Sequence, residues 1–206
     1  PASVVKELLE NSLDAGASRI IIEIKDYGKE LIKVSDNGSG MNQEDTDKSI
    51  LRHATSKINS ADDLFCIKTL GFRGEALASI AAVSKLIMTT KQKEMLEGYQ
   101  LQIHGGQIVQ SSVAPSETGT MVEVRELFFN TPARRKFMKT DAVELKHIIT
   151  VVSQYALLHT NVSMKLIHDC RELLNSPAVA DLRSTIASLY GIEIAKEMLE
   201  VNYKDQ

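Results

Sequence analysis

Four isoleucines fall within five residues, at Ile20, Ile21, Ile22 and Ile24, just behind a glycine at Gly16. β-Branched side chains are stiff at χ1 and pack well on a pleated surface, so residues 19–25 read as a strand. Residues 31–35 read as a second strand, and the turn Tyr27-Gly28-Lys29 between them suits a hairpin. In front of this pair, residues 1–15 read as a helix, with a proline and Ser3 near its start. Val4, Val5, Leu8, Leu9 and Leu13 are its apolar positions, and Gly16 is its stop. Strand-like runs recur at 86–90, 99–103, 107–113, 120–124 and 162–167. Helical patterns cover 43–51, 75–82 and 141–159, the last carrying Val143, Ile148, Ile149, Val152 and Leu157. Helices at both ends of an antiparallel-looking block predict an α+β fold, a two-layer α/β sandwich.

Bulk properties narrow the function classes. A chain of 206 residues suffices for one large domain, or one domain and part of another. Its net charge of −3 gives no global case for nucleic-acid binding, so any such surface must be a local patch. No run of eighteen apolar residues occurs, and no membrane partner is expected. Cys66 and Cys170 lie far apart without metal-ligand spacing and read as reduced thiols; the five histidines show no metal spacing either. The chain opens at Pro1 without a methionine or a signal-type apolar core, which reads as an excised piece.

The residues that carry chemistry cluster early. Glu7 and Asn11 lie about 40° apart on one helical face. They border the apolar arc of Val4, Leu8 and Ala15, while Lys6 and Glu10 are expected to face solvent. An acid on that border is partly desolvated, which suits a general base. An acid and an amide one turn apart can share a water and a cation. The loop Asp36-Asn37-Gly38-Ser39-Gly40 follows the second strand, where a short acid and two glycines can hold a flat heterocycle against bare backbone. Residues 53–74 lack a sustained period and are mostly polar, which at that length suggests a functional loop. Gly71-Phe72-Arg73-Gly74-Glu75-Ala76-Leu77 then joins a glycine loop to a helix start, whose N–H groups can cradle phosphate oxygens. Two glycine loops bracketing a polar stretch read as a nucleotide site.

In this order and spacing the residues resemble the GHKL ATPases, the superfamily of gyrase B, heat-shock chaperones, sensor kinases and the MutL mismatch-repair proteins. Three stretches resemble the MutL branch: residues 6–17, residues 52–58 followed by 71–77, and residues 128–137, Phe-Phe-Asn-Thr-Pro-Ala-Arg-Arg-Lys-Phe. The resemblance covers nearly all of residues 1–184 and implies a Bergerat-type sandwich, with a mixed, mostly antiparallel sheet and helices on one face. It implies that Glu7 activates the attacking water and that Asn11 ligates Mg²⁺. Asp36 would accept the adenine amine, beside Gly38, Gly40 and Met41. The lid residues Thr55, Ser56 and Lys57 would reach the phosphates, together with Leu70, Gly71, Phe72, Arg73, Gly74, Glu75, Ala76 and Leu77. Thr120 would stand near the adenine as the strand threonine of the last motif.

The function so implied is a slow, Mg²⁺-dependent ATPase domain, amino-terminal in its protein. Bound ATP would gate dimerisation and couple mismatch recognition to strand processing. An ATP-gated clamp or scaffold that scarcely hydrolyses is the alternative. Implied partners are ATP, DNA bound weakly through the full-length protein, a MutS-type mismatch-recognition protein, and a second copy or a paralogue. The implied location is cytoplasmic in a bacterium or archaeon, or nuclear in a eukaryote. The ATPase domain is expected over 1–184, with 185–206 starting a second, S5-like domain. The family also has a dimer-forming arm before the position of Pro1 and a phosphate-contacting lysine beyond that of Gln206. Arg134, Arg135, Lys136 and Lys139 beside Phe137 read as a solvated helix start, with contact to a phosphate backbone as the other reading.

Overall fold

The computed structural model describes residues 1–51 and 75–199. Helix α1 (Ala2–Asp14) buries Val4, Val5, Leu8 and Leu9 and ends before Gly16, which takes φ +71°. Strand β1 (Arg19–Lys25) turns Ile20, Ile22 and Ile24 into the core, none more than 1% exposed, while Ile21 and Glu23 face the other side. Each such buried side chain is worth about 1.5–3 kcal/mol, so this strand contributes strongly to the core. It pairs antiparallel with β2 (Leu31–Asp36), Lys25 opposite Leu31 and Ile20 opposite Asp36. The hairpin turn is a 3₁₀ turn, Asp26–Gly28, in which Asp26, Tyr27 and Gly28 all have positive φ.

After β2 come α2 (Gln43–Ser49), capped by Asn42 Oδ1 accepting the Asp45 N–H at 2.8 Å, and α3 (Ala76–Ala81). Four strands follow: β3 (Lys85–Lys91), β4 (Gly98–His104), β5 (Gln107–Ala114) and β6 (Gly119–Arg125). Then come α4 (Pro132–Lys136), α5 (Asp141–Leu158), β7 (Ser163–His168), β8 (Arg171–Ser176), α6 (Leu182–Tyr190) and α7 (Ile192–Glu197). Among the described residues the strands form one sheet in the order β5-β4-β3-β6-β2-β1-β7-β8. Every neighbouring pair is antiparallel except β1 and β7, where Ile20 lies opposite Met164 and Ile22 opposite Leu166.

One face of the sheet is apolar and covered. Ile32, Val34, Leu86, Met88, Leu101, Ile103, Val122, Val124, Met164 and Leu166 join the α1 residues and Ile148, Val152 and Ala156 of α5 in one core. The opposite face carries charge pairs, Lys33 with Glu23 at 3.0 Å and Lys165 with Glu172 at 2.9 Å. This is the expected sandwich. The solvated helix expected at Arg134, Arg135 and Lys136 is present as the short turn α4, with all three side chains exposed. Three elements were not anticipated: β8 buries only Leu174 and Ser176, and α6 and α7 leave Leu182, Tyr190, Ile192 and Ile194 exposed. None of the described helices is long and apolar enough to cross a membrane.

Candidate functional site

The core-facing residues of α1 fix how its polar edge is presented. With Leu8 and Leu9 locked in the core, Glu7 and Asn11 come out half-buried on the helix border, as their spacing predicts. Glu10 does not face solvent. It is 8% exposed, accepts a short hydrogen bond from Tyr155 Oη on α5, and lies 3.7 Å from Lys6 Nζ. Helix α5 packs on α1, so the side of α1 expected to meet water meets that helix instead. Burial and the Glu10 carboxylate, with Glu7 and Asp14 adding negative charge, hold the Tyr155 hydroxyl protonated well above its ordinary range.

Asp36 closes β2 and is gripped from three elements. Its Oδ1 accepts the N–H of Gly38 at 2.8 Å and of Thr120, on β6, at 3.2 Å. Its Oδ2 accepts from Ser12 Oγ, on α1, at 2.8 Å. A carboxylate offers about four acceptor positions, so one, on Oδ2, is left over. Burial pushes the Asp36 carboxyl above its ordinary pKa, against the opposing pull of these three donors. Beside it, Asn37 Oδ1 accepts the N–H groups of Ser18 and Arg19 at 3.0 and 2.8 Å, and the Ser39 N–H reaches Ala15 O at 2.9 Å. The loop is thereby pinned to both the end of α1 and the start of β1.

The glycines of this loop serve the protein's own backbone first. A Cβ on Gly38 would lie 2.8 Å from both Cβ and O of Ala15. On Gly40, at φ +65°, it would lie 2.0 Å from Lys91 O, at the end of β3. The expected reason was close approach of a ligand; the structure supplies a chain-to-chain reason as well.

Sequence reasoning missed Thr90 and Gly119. Thr90 is fully buried on β3, directly opposite Thr120, with Oγ1 to Oγ1 at 2.9 Å. Its hydroxyl also accepts the Met41 N–H at 2.9 Å and donates to Gly119 O at 3.1 Å. Gly119 sits where a Cβ would meet Asp36 O at 2.1 Å. The signal available was the polar pair Thr89-Thr90 closing an otherwise apolar strand.

The structure therefore brings Asp36, Gly38, Gly40, Met41 and Thr120 together, and ties them through Ser12 to the helix that carries Glu7 and Asn11. Glu75, Ala76 and Leu77 stand half-buried at the entry to α3, which packs on β3. Thr55, Ser56, Lys57, Leu70, Gly71, Phe72, Arg73 and Gly74 lie outside the described residues. Among the described residues no three His, Cys, Asp or Glu side chains converge on a metal position.

Residues 1–129 match the family model described as histidine kinase-, DNA gyrase B-, and HSP90-like ATPase. The chain is 48% identical over 205 residues to the DNA mismatch repair protein MutL of Streptococcus pyogenes serotype M1, and 49% identical to that of Streptococcus mutans. All of the chain aligns in both cases, but it spans only 31% and 32% of those proteins, about a third of their length. Among solved structures, the Aquifex aeolicus MutL ATPase domain complexed with ADP matches with a TM-score of 0.77 and 34% identity, over 91% of this chain and 67% of that one. A structure described as the N-terminal domain of a DNA repair protein matches equally well, with a TM-score of 0.77 and 32% identity, over 92% of this chain and 56% of that one. The chain belongs to the histidine kinase-, DNA gyrase B- and HSP90-like ATPase family, in its MutL mismatch-repair branch.

Proposed function

We propose that this domain binds ATP with its adenine against Asp36 and hydrolyses it slowly with Glu7 as the base. The observation that carries the reading is the Asp36 carboxylate, held by Ser12, Gly38 and Thr120 with one acceptor position to spare. A half-buried acid left acceptor-rich at the end of a central strand recognises a donor, and the exocyclic amine of adenine is one. Guanine presents a carbonyl oxygen there, and two facing acceptors repel. The ADP bound by the Aquifex relative supports the same assignment.

Glu7, half-buried on the border of α1, is placed to take a proton from a water that attacks the terminal phosphate. Asn11, one turn on, would hold Mg²⁺ through its amide oxygen. When bound, that ion neutralises phosphate charge and orients the leaving group. Gly38, Gly40 and Met41 form the adenine wall, and Glu75, Ala76 and Leu77 lead from the phosphate loop into α3. The presence of an acid at position 7 favours hydrolysis over a passive clamp, which has no need of a base.

Further proposals concern the whole protein. Bound nucleotide would gate dimerisation with a second copy or a paralogue. The dimer would link a MutS-type recognition protein and weakly bound DNA to strand processing, in the cytoplasm if the host is bacterial. The ATPase domain would span 1–184 and an S5-like domain begin at 185, with α6 running through the junction. A single-turnover assay with ATP and Mg²⁺ on the full-length protein tests the reading. Phosphate release that depends on Mg²⁺ and is far slower with GTP supports it, and nucleotide binding without any release leaves the clamp.

A further inference from the structure

Thr90 is fully buried, and the hydrogen-bond count at its hydroxyl decides what its neighbour can do. A threonine hydroxyl has one proton and two lone pairs. Three partners surround Thr90 Oγ1: the Met41 N–H at 2.9 Å, Gly119 O at 3.1 Å and Thr120 Oγ1 at 2.9 Å. The Met41 amide can only donate and the Gly119 carbonyl can only accept. Giving the Thr90 proton to Gly119 O leaves one lone pair for Met41 and one for Thr120, so all three contacts become hydrogen bonds. Giving it to Thr120 leaves the Gly119 contact unmade, and in a fully buried position such a loss is disfavoured. In the saturated arrangement Thr120 must spend its own proton on Thr90.

We infer that Thr90 is a specificity-determining positioning residue, which makes the Thr120 hydroxyl an acceptor only and so turns the base-facing wall wholly to acceptors. The inference rests on the reading of this site as an adenine pocket. Thr120 gives its backbone N–H to Asp36 Oδ1, so its side chain stands beside that carboxylate. The wall then offers the spare Oδ2 position and the free lone pairs of Thr120 Oγ1. A purine amine, with two N–H donors, matches such a wall directly or through one water. A 6-oxo purine sets an acceptor against it at the 6-position, although its N1 carries a proton. Without Thr90 the Thr120 hydroxyl could turn its proton toward the base and accommodate the oxo group.

The test compares ATP with inosine triphosphate, which carries an oxygen in place of the 6-amine and a proton on N1. Affinities are measured by titration of the full-length protein for wild type, Thr90→Val, Thr90→Ser, Thr120→Val and the Thr90→Val/Thr120→Val double variant. The ATP preference should fall by about tenfold in Thr90→Val, the scale of one hydrogen bond. Thr90→Ser should restore it. In the Thr120→Val background, Thr90→Val should change the ratio no further, because its effect runs through the Thr120 proton. Thr90→Cys, with a weakly bonding thiol, replaces the valine variant if that one folds poorly. An unchanged ratio in Thr90→Val overturns the inference, as does an equal loss in the Thr120→Val background, which would trace the effect to the Met41 loop. Wild type that binds neither nucleotide would overturn the adenine-pocket reading and this inference together; ATP binding with an indifferent Thr90→Val overturns this one alone.

Discussion

Replacing Asp36 by asparagine separates recognition from stability, because the structure dictates which way the amide must point. Oδ1 of the native side chain accepts two backbone N–H groups, from Gly38 and Thr120, and only an oxygen can stand there. The new NH₂ must therefore take the place of Oδ2. Ser12 adapts, since its hydroxyl can rotate from donating to accepting. The adenine amine of the proposed complex cannot, because it would meet a donor where the wild type offers a carboxylate. Loss of a hydrogen bond to a charged group costs about 1.5–3 kcal/mol, so ATP should bind about 10- to 150-fold more weakly. GTP, whose oxygen faces the new donor, should lose less or gain. The empty protein should behave in the opposite way. Burial raises the carboxyl above its ordinary value of 3.8, so ionisation at neutral pH costs the fold energy. The stabilising contribution of this group is complete below that value and disappears as pH climbs through the raised one. A neutral amide avoids that cost, and Asp36→Asn should melt at or above the wild-type temperature at pH 7. Nucleotide titration and a thermal melt of the same samples check both halves. A variant that melts several degrees lower while binding ATP as tightly as wild type would refute the reasoning.

Glu7→Ala should keep ATP affinity within a few-fold and lose at least about 10²-fold in turnover, read by titration beside single-turnover hydrolysis; undiminished turnover would remove Glu7 from the role of base. Gly40→Ala drives a Cβ into the Lys91 carbonyl at φ +65°, and should cost at least about 2 kcal/mol, or about 4–8 °C in melting temperature. Tyr155→Phe leaves the buried Glu10 carboxylate short of a donor and should cost about 1–3 kcal/mol in chemical denaturation, with Glu10→Gln relieving part of the loss. The raised Tyr155 pKa means that its share of stability is present below its ordinary value of 10.0 and is lost as pH rises above it. Wild type should therefore lose stability more steeply than Tyr155→Phe in alkali.

The parts of the fold that could be read in the sequence are those whose side chains obey one period. Ile20, Ile22 and Ile24 alternate inward without exception, and the α1 pattern of Val4, Val5, Leu8 and Leu9 recurs at helical spacing. Strand β8 could not be read this way, because as an edge strand it buries only Leu174 and Ser176 and its other positions are free to vary. Helix α6 was hidden for a similar reason: its buried residue is Thr185, while Leu182 and Tyr190 are exposed, so its polarity runs against its burial. Glu10 misled because its solvent-facing angle on an isolated helix is covered by α5, from more than a hundred residues away. In the site, Asp36 and Thr120 were recognisable from motif and resemblance. Thr90 was not, since its importance comes from the register that sets β3 against β6. Local spacing cannot announce such a pairing.

The parallel contact between β1 and β7, the lone one among the described residues, also has a consequence for how the chain is made. Arg19 finds Ser163 across a loop of more than 140 residues. A growing chain thus completes its first hairpin long before the strand that covers its open side leaves the ribosome. Until then Ile20, Ile22 and Ile24 sit beside an unpaired backbone edge, apolar and rich in β-branched residues, which is the kind of edge that recruits other chains. At about 5–20 residues per second, that exposure lasts on the order of ten seconds or more. A product terminated before Ser163 would keep the edge permanently, and its fate in a cell should be aggregation or proteolysis, even though Glu7, Asn11, Asp36 and Thr120 are all already in it.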